Sequence, residues 1–268
     1  MTQVPPPETM YEHREGVWIK PSWLRFSGLT LQTRMVVLKL GSDLLLYSPS
    51  PAKPDDETLD ELRRLGTPRW LLAPNEIHNV GLAGFQGAFP DAHTTGCVGH
   101  PARVKTARFD LLLDEHTPDD APPWARDGRL RFHVIRGNAL LHEVALLHVP
   151  SRTLVVTDAV EYFVPGDPTV VRQPRPVQWM LRWFGITLGA PCMSPEHNLL
   201  CTDPDALEAS LQILANWDFD SLVMSHGRIV SGDAAHEALV GAFRANIDRV
   251  RRRSALMRKA FVLAARFG

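Results

Sequence analysis

The chain has 268 residues, of which 44% are hydrophobic and 22% are charged, so it can form a sizeable buried core and is not expected to be disordered. Its formal net charge of −1 gives no electrostatic support for nucleic acid as the main partner. The three cysteines are far apart and form no Cys-x-x-Cys pair, which favours a reducing compartment and argues against a thiolate zinc site.

The N-terminal segment is polar and proline-rich, and we expect a flexible arm over residues 1–16. It lacks the basic and then apolar pattern of a signal peptide. No apolar run along the chain approaches the ~20 residues that a membrane span requires. These features together predict a cytoplasmic protein.

The next stretch predicts the beginning of a layered sheet. Residues 17–48 have a strand-like pattern, and 34–48 is expected to form a β-hairpin. A helix is predicted over 55–66, with acidic residues in its first turn and arginines in its last. A short buried strand follows over 68–73. A strand, a helix and a second strand in this order indicate a parallel crossover, which is typical of layered α/β proteins.

The remaining elements continue this alternation without an internal repeat or a sharp change of composition, so we expect one domain over 17–268. The pattern predicts a short helix over 80–89, strands over 94–98, 111–113 and 130–135, a hairpin of strands 144–147 and 154–157, a helix over 202–217, a strand over 221–224, and a helix from 232 towards 266.

Two segments of the sequence allow more than one interpretation. Residues 162–201 are expected to be an irregular insertion that forms a lid or a wall. Trp179, Trp183 and Phe184 in this insertion could line an apolar pocket, but core packing at helical spacing is the favoured interpretation. The C-terminal helix is rich in arginine, so it could contact an anionic membrane as a peripheral helix or dock a partner. A solvated helix with one packed face, or an oligomer contact, is the competing interpretation.

Three groups with useful chemistry follow predicted strands. His78 lies in the loop after the strand over 68–73, Asp158 ends the strand over 154–157, and His226 ends the strand over 221–224. Strand ends form the crevice in which layered α/β proteins bind ligands. Each group alone has an ordinary structural explanation, such as a solvated histidine or a turn cap. Together, two imidazoles and one carboxylate predict a site for a divalent transition metal, either zinc or iron.

Three motifs carry a resemblance to a known family. They are Pro74-Asn75-Glu76-Ile77-His78, the run His-Val-Pro-Ser-Arg-Thr-Leu-Val-Val-Thr-Asp over 148–158, and Ser225-His226-Gly227. With them the chain resembles the metallo-β-lactamase superfamily, and more closely a branch of uncharacterised metallo-β-lactamase-like proteins. This resemblance implies a four-layer αββα sandwich, with a metal site at one edge between the two sheets.

The chain departs from the superfamily in the loop that carries most metal ligands. That loop is His-x-His-x-Asp-His, and placing its last histidine at His78 puts Ala73, Asn75 and Ile77 at the other three ligand positions. Asp158 then matches the bridging aspartate and His226 the last histidine. The resemblance therefore implies a reduced site that holds one metal ion rather than a dinuclear centre.

The resulting expectation is a metal-dependent hydrolase that uses metal-activated water on an unidentified small molecule. His78, Asp158 and His226 would bind the ion, and Glu143 or His142 would be a further ligand or the proton acceptor. Glu76 could also complete the ligand set. Two alternatives stay open, namely a non-catalytic binding protein with this fold and no metal, and an iron-dependent redox enzyme that uses the same site.

Overall fold

The structure is a computed structural model. It describes residues 9–26, 29–51, 53–138, 140–171, 173–183 and 185–267, except for the side chains of 26, 29 and 254–267. Phe184 therefore lies outside the described residues, as do the side chains of the last basic turns of the C-terminal helix.

The first sheet is formed by the N-terminal half of the chain. Its strands in the described residues are β1 (Tyr11–Arg14), β2 (Val17–Phe26), β3 (Leu29–Leu40), β4 (Asp43–Tyr47), β5 (Thr67–Leu72), β6 (His93–Cys97) and β7 (Leu111–Leu113), and they are neighbours in that order. Strands β1 to β4 pair antiparallel, whereas β4 to β7 pair parallel. The predicted crossover from β4 to β5 is therefore confirmed.

The second sheet is formed by the C-terminal half. Its strands are β8 (Leu130–Ile135), β9 (Glu143–His148), β10 (Thr153–Val155), β11 (Ser221–Val223) and β12 (Val230–Ser231), in the spatial order β12-β11-β10-β9-β8. The hairpin of β9 and β10 is antiparallel, as predicted. Strand β11 pairs parallel with β10, with Val155 opposite Val223. These two strands therefore end at the same edge of the sheet.

Helices follow the strands in both halves of the described chain. They are α1 (Asp56–Leu65), α2 (Leu82–Ala88), α3 (His100–Arg103), α4 (Pro168–Val171), α5 (Arg175–Trp183), α6 (Pro195–Leu200), α7 (Pro204–Ala215) and α8 (Asp233–Phe267), with a 3-10 turn over Pro123–Ala125. Helix α1 begins at an Asp55 cap that accepts from the Thr58 amide, and α7 begins at an Asp203 cap.

Three clusters of buried apolar side chains define four layers. The first lies between the sheets and includes Tyr47 and Leu146. The second packs Val37 of the first sheet against α1 and α2. The third packs the second sheet against α7 and α8, with Leu222 and Phe243 among its members. Because both faces of each sheet are buried, the central strands are apolar on both sides. The expected αββα sandwich is confirmed.

Two expectations about the chain ends and the insertion need correction. The flexible arm over 1–16 is wrong for Tyr11–Arg14, because β1 pairs with β2 and Arg14 bonds to Asp220 and to the Ser151 carbonyl of the other sheet. Residues 1–8 lie outside the described part. The insertion over 162–201 contains α4, α5 and α6, so it is more regular than expected.

Cys97, Cys192 and Cys201 are buried free thiols, and none of them belongs to the metal-ligand group of the described residues. Within the described chain, none of the helices combines the length and apolarity needed to cross a membrane.

Candidate metal centre

His78, Asp158 and His226 meet at one edge of the sandwich, between the two sheets. His78 follows β5 of the first sheet, and the other two groups follow β10 and β11 of the second. All three side chains are buried, and their ligand atoms lie within 4.8 Å of one another. His78 Nε2 is 3.3 Å from His226 Nε2 and 3.4 Å from Asp158 Oδ2, and His226 Nε2 is 3.8 Å from Asp158 Oδ1.

The backbone after His226 turns sharply so that the imidazole faces this edge. Gly227 has a φ of 79°, and a Cβ atom there would lie 2.3 Å from the Tyr162 carbonyl oxygen. Only glycine fits such a left-handed position against another backbone segment. The Ser-His-Gly motif therefore has a local steric cause as well as a chemical one.

Each histidine has a hydrogen-bond partner on the ring nitrogen that faces away from the site. His226 Nδ1 is 2.6 Å from the Gln32 carbonyl oxygen, and His78 Nδ1 is 2.9 Å from Ser48 Oγ. A carbonyl only accepts, so His226 carries its hydrogen on Nδ1 and directs the Nε2 lone pair into the site. Such partners hold metal-binding imidazoles in the correct tautomer and orientation.

Asn75 joins the His78 loop to Asp158. Its Nδ2 donates to Asp158 Oδ2 at 2.7 Å and to Thr157 Oγ1 at 2.9 Å, while its Oδ1 accepts from the His78 amide at 2.9 Å. Asn75 stands where the resemblance would place a loop histidine. In this chain the position supplies a hydrogen-bonded connection that fixes the carboxylate of Asp158.

Glu143 supports the same aspartate from behind. It is fully buried, and its carboxylate accepts hydrogen bonds from the backbone amides of Thr157, Asp158 and Ala159 at 2.7, 3.0 and 2.9 Å. His197 Nε2 lies 3.0 Å from the same carboxylate. Burial lowers the pKa of His197, but the hydrogen bond and charge of Glu143 outweigh burial and raise that pKa above its ordinary value.

His142 and Glu76 form a separate pair. His142 Nδ1 lies 2.7 Å from Glu76 Oε1, and the His142 amide donates to Glu76 Oε2 at 2.8 Å. A cavity opens beside the three candidate ligands, but Glu76, His142 and Glu143 are not among the described residues that line it. The geometry thus favours positioning roles for these groups over the ligand or proton-acceptor roles expected from the sequence.

The charges of the three candidate ligands depend on one another. Burial raises the pKa of Asp158, but the charges of His78 and His226 outweigh it and hold that pKa far below its usual range. Burial lowers the pKa of His78, but the Asp158 charge outweighs burial and raises it above its ordinary value. Burial and then the charge of His78 lower the pKa of His226 to about 4. Asp158 is therefore an anion, and His226 is a neutral donor at pH 7.

Glu161 and Glu196 also line the cavity, and sequence reasoning missed both. Glu161 is 5% exposed, and its Oε2 atom has no hydrogen-bond partner within the described structure. Burial, and then the charge of Asp158, raise the pKa of Glu161 well above its ordinary value. The same causes raise the pKa of Glu196. The sequence feature that could have identified Glu161 is the presence of an acid within the apolar run Ala159-Val-Glu-Tyr-Phe163.

The tryptophans of the insertion face solvent rather than the core. Trp179 and Trp183 on α5 are 66% and 70% exposed, and they stack on each other with ring centroids 5.6 Å apart. The expectation that they pack in the core is wrong, because helix α5 has no fully buried residue. Leu181 of the same helix lines the cavity instead.

The geometry of the donors fits a metal ion. With bonds of about 2.0–2.1 Å, two ligands of a tetrahedral zinc ion lie roughly 3.3–3.4 Å apart. His78 Nε2 lies 3.3 Å from His226 Nε2 and 3.4 Å from Asp158 Oδ2, which agrees with this value. The 3.8 Å distance from His226 Nε2 is to the other oxygen of Asp158, Oδ1. Ion-pair hydrogen bonds are shorter, at about 2.7–2.9 Å. Three buried donors that converge without close hydrogen bonds to one another are a suitable site for one divalent ion.

Solved structures confirm the metallo-β-lactamase fold. A metallo-β-lactamase of Pseudomonas aeruginosa, in its mono-zinc form, aligns with a TM-score of 0.59 and 14% identity over 90% of this chain and 96% of that chain. A metallo-β-lactamase of Hirschia baltica aligns with a TM-score of 0.58 and 10% identity, over 90% and 98%. One of Erythrobacter litoralis has a TM-score of 0.59 and 15% identity, over 88% and 95%. No family model and no curated protein matches the sequence. At these identities the likeness establishes the fold alone.

Proposed function

We propose that the protein is a metal-dependent hydrolase with one divalent ion held by His78, Asp158 and His226. The observation that carries this proposal is that one ligand atom from each of three buried side chains, which converge from three strand ends, lies within 4.8 Å of the other two. Three protein ligands leave a fourth position open, which is typical of catalytic rather than structural zinc sites. When bound, a divalent ion supplies Lewis-acid polarisation of a carbonyl group and activation of water.

One ion is better supported than two. Among the described residues, His78, Asp158 and His226 are the group of metal-ligating side chains close enough to share an ion. The loop positions that could provide a second set are Ala73, Asn75 and Ile77, and Asn75 is already bonded to Asp158. A site with two metal ions about 3.5–4 Å apart would need further ligands that these residues do not supply.

Glu161 is the residue that we assign to proton transfer. It faces the same cavity as the three ligands, it is buried, and its Oε2 atom is unpaired. Burial raises the pKa of Glu161 well above its ordinary value, which favours the protonated form that can donate to the leaving group of a substrate. Glu143 and Asn75 fix the position of Asp158 and do not take part in the proton transfer.

Elemental analysis of the purified protein tests the metal site. We expect about one zinc or iron ion per chain, and loss of that ion in Asp158→Ala and in His226→Ala. His116→Ala is a matched control because the His116 side chain is 82% exposed and lies outside the site. The proposal fails if the parent protein holds no stoichiometric metal and added metal does not raise its melting temperature, or if both ligand variants keep their metal. The same measurement distinguishes zinc from iron.

A further inference from the structure

The cavity beside the candidate metal centre is largely apolar. It has a volume of about 990 Å³ when counted out to its open mouth. One wall is formed by Leu24 and Leu31 of the first sheet, and another by Phe163, Val170, Leu181 and Ile186 of the insertion. His78, Asp158 and His226 lie in the same lining, so the apolar walls and the reactive end belong to one pocket. Pockets with apolar walls and a few converging polar groups bind small molecules.

The charges in this lining are acidic. The described lining residues include Asp158, Glu161 and Glu196 but no lysine or arginine. Arg34 is buried nearby, but its guanidinium donates to the carbonyl oxygens of Met224, at 2.7 Å, and of Gly227. Recognition of a phosphate or a carboxylate requires a free cationic or multiple-donor group. Outside the three candidate metal ligands, the described lining offers no such group, and the apolar walls disfavour a charge on the part of the substrate that they contact.

We propose that the substrate is an uncharged ester or lactone whose acyl group is an aliphatic chain held by the apolar walls. This substrate class rests on the proposed hydrolase function, because the ester group must lie beside the three metal-ligating residues. The aliphatic chain would extend along Phe163, Val170, Leu181 and Ile186. The proposal disfavours substrates that carry a charge on the part held by these walls.

Glu161 can supply the proton that hydrolysis of such an ester or lactone requires. In hydrolysis, the oxygen of water bonds to the acyl carbon, the carbon–oxygen bond to the leaving group breaks, and the leaving oxygen takes a proton from Glu161. The proton released by water restores Glu161, and the products are a carboxylic acid and an alcohol.

Three amides with the same chain length test the preference for an uncharged chain by binding alone, without turnover. Octanamide is uncharged, suberamate carries a carboxylate at its far end, and 8-aminooctanamide carries an ammonium group there. We expect calorimetric titration of the protein as purified to give binding of octanamide at least about tenfold tighter than binding of either charged amide. Equal or tighter binding of suberamate or 8-aminooctanamide would overturn the proposal.

Neighbouring residues on α5 provide a matched pair of variants. Leu181→Ala should weaken octanamide binding about three- to tenfold and leave acetamide unaffected, since it removes apolar wall around the chain. Met180→Ala changes the next residue, which is 40% exposed and outside the lining, and should stay within about twofold of the parent. If both variants bind octanamide like the parent, the chain does not lie along this wall and the proposal is wrong. Melting temperatures confirm that both variants are folded.

Repeating the titration on chelator-treated protein separates this proposal from the metal proposal. Octanamide binding that persists without the ion, together with the charge preference, supports the substrate class even if the metal analysis is negative. Stoichiometric metal together with no preference for octanamide refutes the substrate class and leaves the metal centre intact. As a readout of turnover, 4-nitrophenyl octanoate should have a higher kcat/KM than 4-nitrophenyl acetate, and the reverse order contradicts the proposal.

Discussion

Replacing Glu143 with glutamine should weaken both the fold and the metal site. The carboxylate oxygen Oε1 accepts from the Thr157 amide, and Oε2 accepts from the amides of Asp158 and Ala159 and contacts His197. In Glu143→Gln one oxygen becomes an NH₂ group that cannot accept. The less costly orientation puts this group opposite the Thr157 amide, which leaves one buried N–H unpaired.

The size of the effect follows from these contacts. An unpaired buried donor costs roughly 1–3 kcal/mol, and the loss of charge from the remaining bonds adds roughly 1 kcal/mol, so about 2–4 kcal/mol in total. For a chain of this length, that lowers the melting temperature by roughly 4–16 °C. Displacement of the Asp158 backbone should also reduce metal affinity by about 10- to 100-fold, as loss of a supporting bond behind a metal ligand commonly does.

Thermal unfolding, urea denaturation and competition with a chromophoric chelator measure these changes. Glu237→Gln is a suitable control because Glu237 is exposed on α8. The pKa of His197, followed by NMR, should fall in Glu143→Gln because burial then acts without the opposing charge of Glu143. A variant with stability within about 1 kcal/mol of the parent and unchanged metal affinity would refute the assigned role of Glu143.

Two further changes test other parts of the structure. Asn75→Ala should lower metal affinity about 10- to 100-fold in the same chelator assay, since Asp158 loses its side-chain donor, while exposed Asn216→Ala should not. Burial and then Arg136 lower the pKa of His133 to about 4, below its ordinary value of 6.5. The unfolded chain therefore binds more protons between these values, so the free energy of unfolding should fall as pH drops from about 6.5 to about 4, by roughly 2–3 kcal/mol from this residue. Urea denaturation at pH 7 and 4.5 should show a smaller loss for His133→Gln than for the parent, and an equal loss would contradict the assignment.

Local patterns in the sequence predicted a layered α/β protein and the three candidate ligands, whereas the four-layer sandwich was implied by the family resemblance. Apolar runs that end in Asp158 and His226 identify strands and the edge at which they end. The 148–158 motif and the late Ser-His-Gly then restrict the architecture, and His78 follows from its position after β5. These signals are contained in short segments, so a single sequence is enough to find them.

The rest of the site depends on contacts between distant segments. His197 approaches Glu143 across 54 positions, and Glu196 reaches the cavity from the insertion. Helical spacing on α5 indicated packing for Trp179 and Trp183, yet the helix places Leu181 inward and both indoles in solvent. Apolar character gives the tendency to be buried, but which face of a short helix meets the core is decided by its neighbours.

Hydrogen bonds replace the missing loop ligands in organising this site. Asn75 donates to the Asp158 side chain from one direction, and Glu143 accepts from the Asp158 amide from the other. Gln32 and Ser48 likewise form hydrogen bonds with the Nδ1 atoms of His226 and His78, respectively. A loop with several metal ligands needs ions to neutralise and gather them, whereas these bonds form without an ion. The arrangement of the three donors, and the apolar cavity beside them, should therefore survive metal removal, which is why octanamide binding can be measured on chelator-treated protein.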